Sequence, residues 1–429
     1  MNPRDWALLE LDDRRLPAWK PNLAPRPRDR SPPTDPRDLA LAERILIGVI
    51  KNHALLVYLA QHYSKRSQRQ IDPLVMKILS IALYQLRFLD RIPASAAVDE
   101  AVEQCRRFGR ARAAGFVNAV LRNATRHPDV PLPDPQRDPE SHAAVVLSHP
   151  REVFRRLTRI MSADDALAFC RHDNAKPPTL VRLFRGATID QLATAGVTIA
   201  PHEQGGIYVV AGAKRAQIES WARRGLAQVQ DATSAQAVEH LDLKPGQRVL
   251  DRCSGLGTKT LQIREHVGPD GALVAIDPSP QRCEGLRAML EARGIENVTV
   301  HQVGMLGDLP STGRDAFDRI LIDVPCSNSG VLARRPEARY AQDERSLRSL
   351  EHLQRDILDD TAPYLVPGGL LVYSTCSVWP AENEDQVRTF LARHADYELR
   401  HSRATLPSFR EIDPSRYHDG GFVAVLRRN

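Results

Sequence analysis

Two cysteines stand where a covalent reaction could be run. Cys326 follows the short apolar run Ile320-Leu321-Ile322-Asp323-Val324-Pro325, and Cys376 follows Leu370-Leu371-Val372-Tyr373-Ser374-Thr375. Each run has the length and apolar content of a buried strand. Between them lie a polar helical stretch, about 343–364, and the turn signal Pro367-Gly368-Gly369. Strand, crossover helix and strand make the unit of a parallel sheet, and in open α/β sheets chemistry collects at the carboxyl ends of the strands. Both cysteines and Asp323 fall there. Such a set suits a cytosine ring, which is electron-poor at C6 and unreactive at C5. A thiolate adding to C6 makes C5 nucleophilic enough to take a methyl group from a sulfonium. The C5 proton must then leave and the thiol be eliminated, while a carboxyl group near N3 offsets the charge that develops there. Cys376, Cys326 and Asp323 supply these groups, and the target base must be unpaired or flipped out of its stack. The residue types alone leave open which cysteine attacks. The bland alternative is two small buried residues at strand ends, a common fate of free cysteine.

A cofactor site is expected one strand away. Asp251-Arg252-Cys253-Ser254-Gly255-Leu256-Gly257-Thr258-Lys259 joins a strand at 248–251 to a helix starting near Lys259. Glycines there allow close backbone approach to a ligand, and the helix N-terminus offers unpaired N–H groups. Asp277 ends the next strand, 272–276, where a carboxylate can take the hydroxyls of a ribose. By itself this pattern admits a dinucleotide or S-adenosylmethionine.

Stepping outward, 429 residues imply two or three domains. Residues 1–37 read as a flexible Pro/Arg-rich arm. Residues 38–130 read as all helix, with Leu41, Ile45, Leu46, Val49 and Ile50, then Val75, Ile78, Leu79, Ala82, Leu83 and Leu86 at helical period. Its polar face carries Arg106, Arg107, Arg110, Arg112, Arg122 and Arg126 with no acid between Cys105 and His127, a pattern suited to phosphate. Residues 131–148 read as a Pro/Asp linker. Residues 149–224 read as a small α+β subdomain, with one helix over 155–171 and strands at 179–184 and 207–210. Residues 225–429 alternate strand and helix as a doubly wound Rossmann-like sheet, closed by an antiparallel pair at 398–400 and 421–426. Net charge is +6, which suits a polyanion. Six scattered cysteines without a CxxC pair argue against zinc ribbons and disulfides, and so for a reducing, cytoplasmic setting without a metal. No apolar run is long enough to span a membrane.

Three ordered motifs, 80–86 (Ser-Ile-Ala-Leu-Tyr-Gln-Leu), 91–102 (beginning Arg-Ile-Pro-Ala-Ser) and 116–122 (Phe-Val-Asn-Ala-Val-Leu-Arg), resemble the NusB-like RNA-binding domain. Asp323-Val324-Pro325-Cys326-Ser327 with Ser329-Gly330-Val331 and Arg335-Pro336, and Ser374-Thr375-Cys376-Ser377 with Pro380, Glu382 and Asn383, resemble the two cysteine motifs of the Sun family of RNA 5-methylcytosine methyltransferases. Gln230-Asp231-x-x-Ser234 and Gly421-Phe422 match that family as well, and residues 174–178 are similar to the opening of its RNA-binding subdomain. The resemblance runs from about residue 38 to the end. It implies that Cys376 is the nucleophile, Cys326 assists product release and Asp323 contacts the base. It implies that Asp277, Asp323, Lys259 and the loop of Cys253, Ser254, Gly255, Leu256, Gly257 and Thr258 hold S-adenosylmethionine, with the Cys253 side chain packing inward. It implies small-subunit ribosomal RNA as the partner. The chain departs from the family's D-A-C-A-A-P-G-G-K-T loop, and Gly304-Met305 stands where an acidic residue usually faces the adenine, with Asp308 the nearest acid. Two other readings are a transfer-RNA methyltransferase and a non-catalytic RNA-binding assembly factor.

Overall fold

The computed structural model describes residues 1–13, 31–308, 315–411 and 413–429. The chain divides into two compact units. One comprises Met1–Ala175 with Arg335–Gln342; the other comprises Lys176–Arg334 with Asp343–Asn429.

The first unit is helical. Its central helix, Pro73–Phe88, starts on Asp72, whose carboxylate accepts from Leu74 N and Val75 N, with proline at the first turn. Every residue from Leu74 to Gln85 is buried, so this helix is the core around which Pro36–Lys51, His53–Ser64, Ala94–Arg107 and Ala114–Arg126 pack. A side chain at Gly48 would overlap the Tyr84 ring at 1.9 Å, so only glycine lets these two helices meet there.

Three expectations for this unit are corrected. Residues 3–13 are a helix and not part of a flexible arm, because Ala7, Leu8, Leu9 and Leu11 are buried in the helical core. The Pro/Arg-rich stretch 14–30 lies outside the described residues. The expected linker holds a helical turn at Pro139–Ser141 and a wide turn at His142–Val146, and its end is buried at Leu147 and Ser148. The single helix over 155–171 is two, Arg151–Leu157 and Ala163–Asn174. Ser162 restarts the second by accepting from Asp165 N, and both belong to the helical unit.

The second unit holds two sheets. The smaller is antiparallel, in the order β2 (Thr198–Pro201), β3 (Ile207–Ala211), β1 (Thr179–Leu183), β4 (Ala227–Val229). The larger is built from β5 (Arg248–Asp251), β6 (Ala272–Ile276), β7 (Val298–His301), β8 (Phe317–Asp323), β9 (Leu365–Thr375), β10 (Tyr397–Thr405) and β11 (Gly421–Arg428). Its order is β10-β11-β9-β8-β5-β6-β7, parallel from β9 to β7, with β11 and β10 antiparallel at one edge. This is the expected doubly wound Rossmann-like sheet, with helices Thr258–Val267, Pro280–Glu291 and Glu344–Thr361 as crossovers. Strand order reverses between β5 and β8, which opens a crevice at their carboxyl ends. Pro367-Gly368-Gly369 is not a turn before the strand but lies within β9. Leu365 pairs with Phe317 and Leu370 with Arg319, so four residues bulge against one. Gly368, at φ +79°, supplies the left-handed step that this needs.

Leu8 makes the N-terminal helix part of the core. Leu8→Ala should lower the stability of the helical unit by about 2–5 kcal/mol, read from urea unfolding by circular dichroism. An unchanged midpoint would make this helix dispensable.

Candidate active site

Parallel register sets the site. Asp323 pairs with Ser374, so the turns that carry Cys326 and Cys376 leave the sheet side by side. The sulfurs lie 3.0 Å apart as free thiols. Cys326 is buried and Cys376 half-buried. The bond to Cys376, then burial, then the Cys376 and Glu382 charges push the Cys326 thiol well above its ordinary value. Cys376 Sγ also donates to Asn328 Oδ1 at 3.4 Å. Asn328 is in the left-handed region at φ 59°, and its Nδ2 donates to Cys326 O, which turns its amide oxygen toward the other thiol.

One buried carboxylate ties the two turns. Glu382 is 1% exposed. Ser327 N donates to its Oε1 at 2.9 Å, and the hydroxyls of Ser327 and Ser377 both donate to its Oε2. Gln354 Nε2 donates to Oε1 and to Pro325 O, both at 2.9 Å. The serine after each cysteine is therefore held by the same acid. Backbone adds a second clasp: Gly330 N donates to Cys376 O at 2.9 Å and Gly420 N to Gly330 O at 2.8 Å. A Cβ on Gly330 would meet Gly420 backbone at 2.6 Å. Arg334, just beyond, holds Asp419 at 2.6 Å and Asp231 at 3.5 Å.

Next to the thiols, Lys259 Nζ bonds Asp323 Oδ2 at 2.6 Å. Burial opposes the ammonium, but Asp323, with Cys376 and Asp251 behind it, outweighs that and raises it. Across the crevice, Gly255 N donates to Asp277 Oδ2 at 3.0 Å and Ser279 N to Oδ1 at 2.9 Å, so Asp277 orders the 252–258 loop. Gly255 (φ +57°) has open space where a Cβ would stand, while at Gly257 (φ +89°) a Cβ would strike Leu286 at 2.4 Å. Gly257 leaves the Thr258–Val267 helix without a side-chain cap. Asp251 Oδ1 and Ser254 Oγ are buried without a partner among the described residues. Unused buried polar atoms, a glycine cradle and an open helix start fit a nucleoside with a polar, zwitterionic tail.

Comparison with known proteins shows the family. Residues 238–426 match the model of the 16S rRNA methyltransferase RsmB/F family, and residues 18–126 match the NusB family. The chain is 33% identical to ribosomal RNA small subunit methyltransferase B of Pseudomonas syringae pv. tomato, over 83% of this chain and 80% of that protein. It is 32% identical to the protein of that name from Vibrio cholerae, over 92% and 90%. The chain belongs to the RsmB/F methyltransferase family. Its fold is shared with the crystal structure of PH0851 (22% identity, TM-score 0.78, 92% of this chain and 91% of that one). It is also shared with NSun6 from Pyrococcus horikoshii with SFG (18%, 0.52, 65% and 98%).

Against the RsmB/F pattern, Cys253 packs on the core of the large sheet, and burial pushes its thiol up to about 12. Leu256 is exposed on the loop. Met305 is exposed too, and the Asp308 side chain lies outside the described residues. The arginine cluster is less bare than its local sequence. Arg106 pairs with Glu103, Arg107 with Asp5 and Glu100, and Arg110 with Asp72, while Arg122 donates to Asn118. Arg112 and Arg126 are exposed and form no ion pair among the described residues. Sequence reading did not assign roles to Asn328, to the Glu382 hub or to the Arg334–Asp231–Asp419 cluster. The serine after each cysteine was the available signal for Glu382; Asp231 stood in a family-like motif without a role, and nothing local marked Asn328.

Asp251 carries a pH signature. Burial, with help from Asp323 and Asp277 and against the Thr260 hydrogen bond, pushes its carboxyl up to about 7. Unfolded, it titrates near 3.9, so its contribution to stability is complete below that pH and is lost as pH rises toward 7. Asp251→Asn should remove a decline of about 4 kcal/mol between pH 4 and 8, measured by urea unfolding across that range. An unchanged slope would refute it. Asp419, raised to about 7 by burial and by Asp231 against Arg334, should retain its own share of the slope.

Proposed function

We propose that the chain methylates cytosine C5 in small-subunit ribosomal RNA, using S-adenosylmethionine, through a covalent bond between Cys376 and C6. The observation that carries this is the pair of free thiols 3.0 Å apart at the ends of adjacent parallel strands, level with Asp323. The names of its small-subunit methyltransferase relatives support the substrate class.

The residues divide the work as follows. Cys376 is the more exposed thiol and attacks C6, its proton leaving to solvent. Charge displaced toward N3 is met by Asp323 and the Lys259 proton that it holds. S-adenosylmethionine supplies an electrophilic methyl group, which C5 takes up. Cys326 then closes the cycle. The C5 proton passes to its sulfur, the C5–C6 double bond re-forms, the C6–sulfur bond breaks, and the departing Cys376 sulfur takes the proton that Cys326 gave up. A thiol pushed well above its usual range is a strong base once it has lost its proton, which suits that exchange. Asp277, Lys259 and the 253–258 loop hold the cofactor. Arg112, Arg122 and Arg126, with Arg106, Arg107 and Arg110 exchanging carboxylates for phosphates, give the helical unit its RNA contact.

The test is a denaturing gel after incubation with unmodified small-subunit RNA and S-adenosylmethionine. Cys326→Ser should accumulate an RNA–protein adduct, because release is blocked after attack. Cys376→Ser should form none and lose methyl transfer by several orders of magnitude. A reversed pattern would exchange the two roles, and methylation by Cys376→Ser at the wild-type rate would end the covalent reading. Transfer to transfer RNA but not to small-subunit RNA would overturn the substrate assignment.

A further inference from the structure

The crevice contains a buried arginine that the reaction does not use. Arg252 directly follows β5, and its side chain is only 2% exposed. Its Nη2 donates to Gly304 O and to Asp360 Oδ2, the latter at 3.2 Å. The same Asp360 oxygen accepts from Leu306 N at 2.9 Å. The pair therefore grips the backbone on both sides of Met305. Leu306 is buried at 1% while Met305 between the grips is 48% exposed, so the loop is pinned with this one apolar side chain outward. Arg252 Nε is buried without a partner among the described residues. A buried ion pair is weak evidence for stability, and one with an unsatisfied donor is poorly arranged for it.

Register says what the loop faces. Ile276 pairs with His301, so β6 and β7 end level, and Asp277 N donates to His301 O. The 304–306 loop thus begins beside Asp277, on its far side from β8, and the Arg252–Gly304 bond brings it against the start of the 252–258 loop. A nucleoside whose ribose sits on Asp277 and whose tail points toward the thiols must extend its base over this loop. Leu256, 66% exposed on the neighbouring loop, offers a second apolar surface. Resting on the reading that this crevice holds S-adenosylmethionine, we infer that Arg252 and Asp360 are positioning residues for the cofactor, holding the 304–306 loop so that Met305 contacts the base. Recognition there is by apolar packing rather than by a carboxylate.

Calorimetric titration of full-length protein with S-adenosylhomocysteine tests this directly. Arg252→Ala and Asp360→Ala should each weaken binding tenfold or more. In turnover, KM for S-adenosylmethionine should rise by a larger factor than kcat falls, whereas a general loss of structure would lower the active fraction and leave KM in place. Met305→Ser, an exposed change that does not threaten folding, should weaken binding about fivefold and keeps the inference testable if the charge variants misfold. Folded variants that bind like wild type would overturn the inference while leaving the cofactor reading intact. A wild-type protein that binds neither S-adenosylhomocysteine nor S-adenosylmethionine would remove both.

Discussion

The end of the sheet that carries the two cysteines depends on one buried carboxylate. Taking a charge out of water is costly unless its lone pairs are filled. Glu382 is filled by Ser327 N, two serine hydroxyls and Gln354. Those donors come from the two cysteine turns and the crossover helix between them, so satisfying the acid brings the three segments together. The separation of the sulfurs, the direction of Asn328 and the approach of Gly330 to Cys376 O all presuppose it. The parallel register brings the strand ends near each other; the acid sets the final spacing.

The elements that carry chemistry were legible because they obey local rules. Residues 320–323 and 370–373 read as strands, and both lie within β8 and β9. The polar stretch 343–364 read as helical, and the structure caps Glu344–Thr361 with Asp343, which accepts from Ser346 N. Asp277 followed from its place at the end of the strand read at 272–276, which is β6. What escaped was long-range. The acids that neutralise Arg107 and Arg110 lie at Asp5 and Asp72, far along the chain, so a cluster without nearby acids looked freer than it is. The N-terminal helix was hidden beside a proline-rich stretch and declares itself only through the core that it enters. The turn signal at Pro367-Gly368-Gly369 was real chemistry put to another use, since a bulge and a turn ask for the same left-handed glycine.

Two acids in the second unit, Asp251 and Asp419, are held in surroundings that favour their protonated forms. Local rules for strands and loops would not put an acid in either place. Each adjoins a loop that must hold its shape: the Gly255–Gly257 turn in one case, the Gly420–Gly330 contact in the other. Stability is surrendered around neutral pH at the positions where shape matters most.

The short stretch Arg335–Gln342 belongs to the first unit although β8 precedes it and Glu344–Thr361 follows it. There Arg339 is fully buried, donating to Asn174 Oδ1 at 2.8 Å and to the carbonyls of Asp173, Lys51 and Leu147, and Tyr340 OH donates to Ile50 O. The chain thus leaves the catalytic unit a few residues after Cys326 and returns before the crossover helix. No single cut separates the two modules: a fragment beginning at Lys176 would carry a naked arginine and tyrosine in the middle of its catalytic crossover. The units are interleaved in sequence, and recombination could not exchange one for the other as an intact cassette.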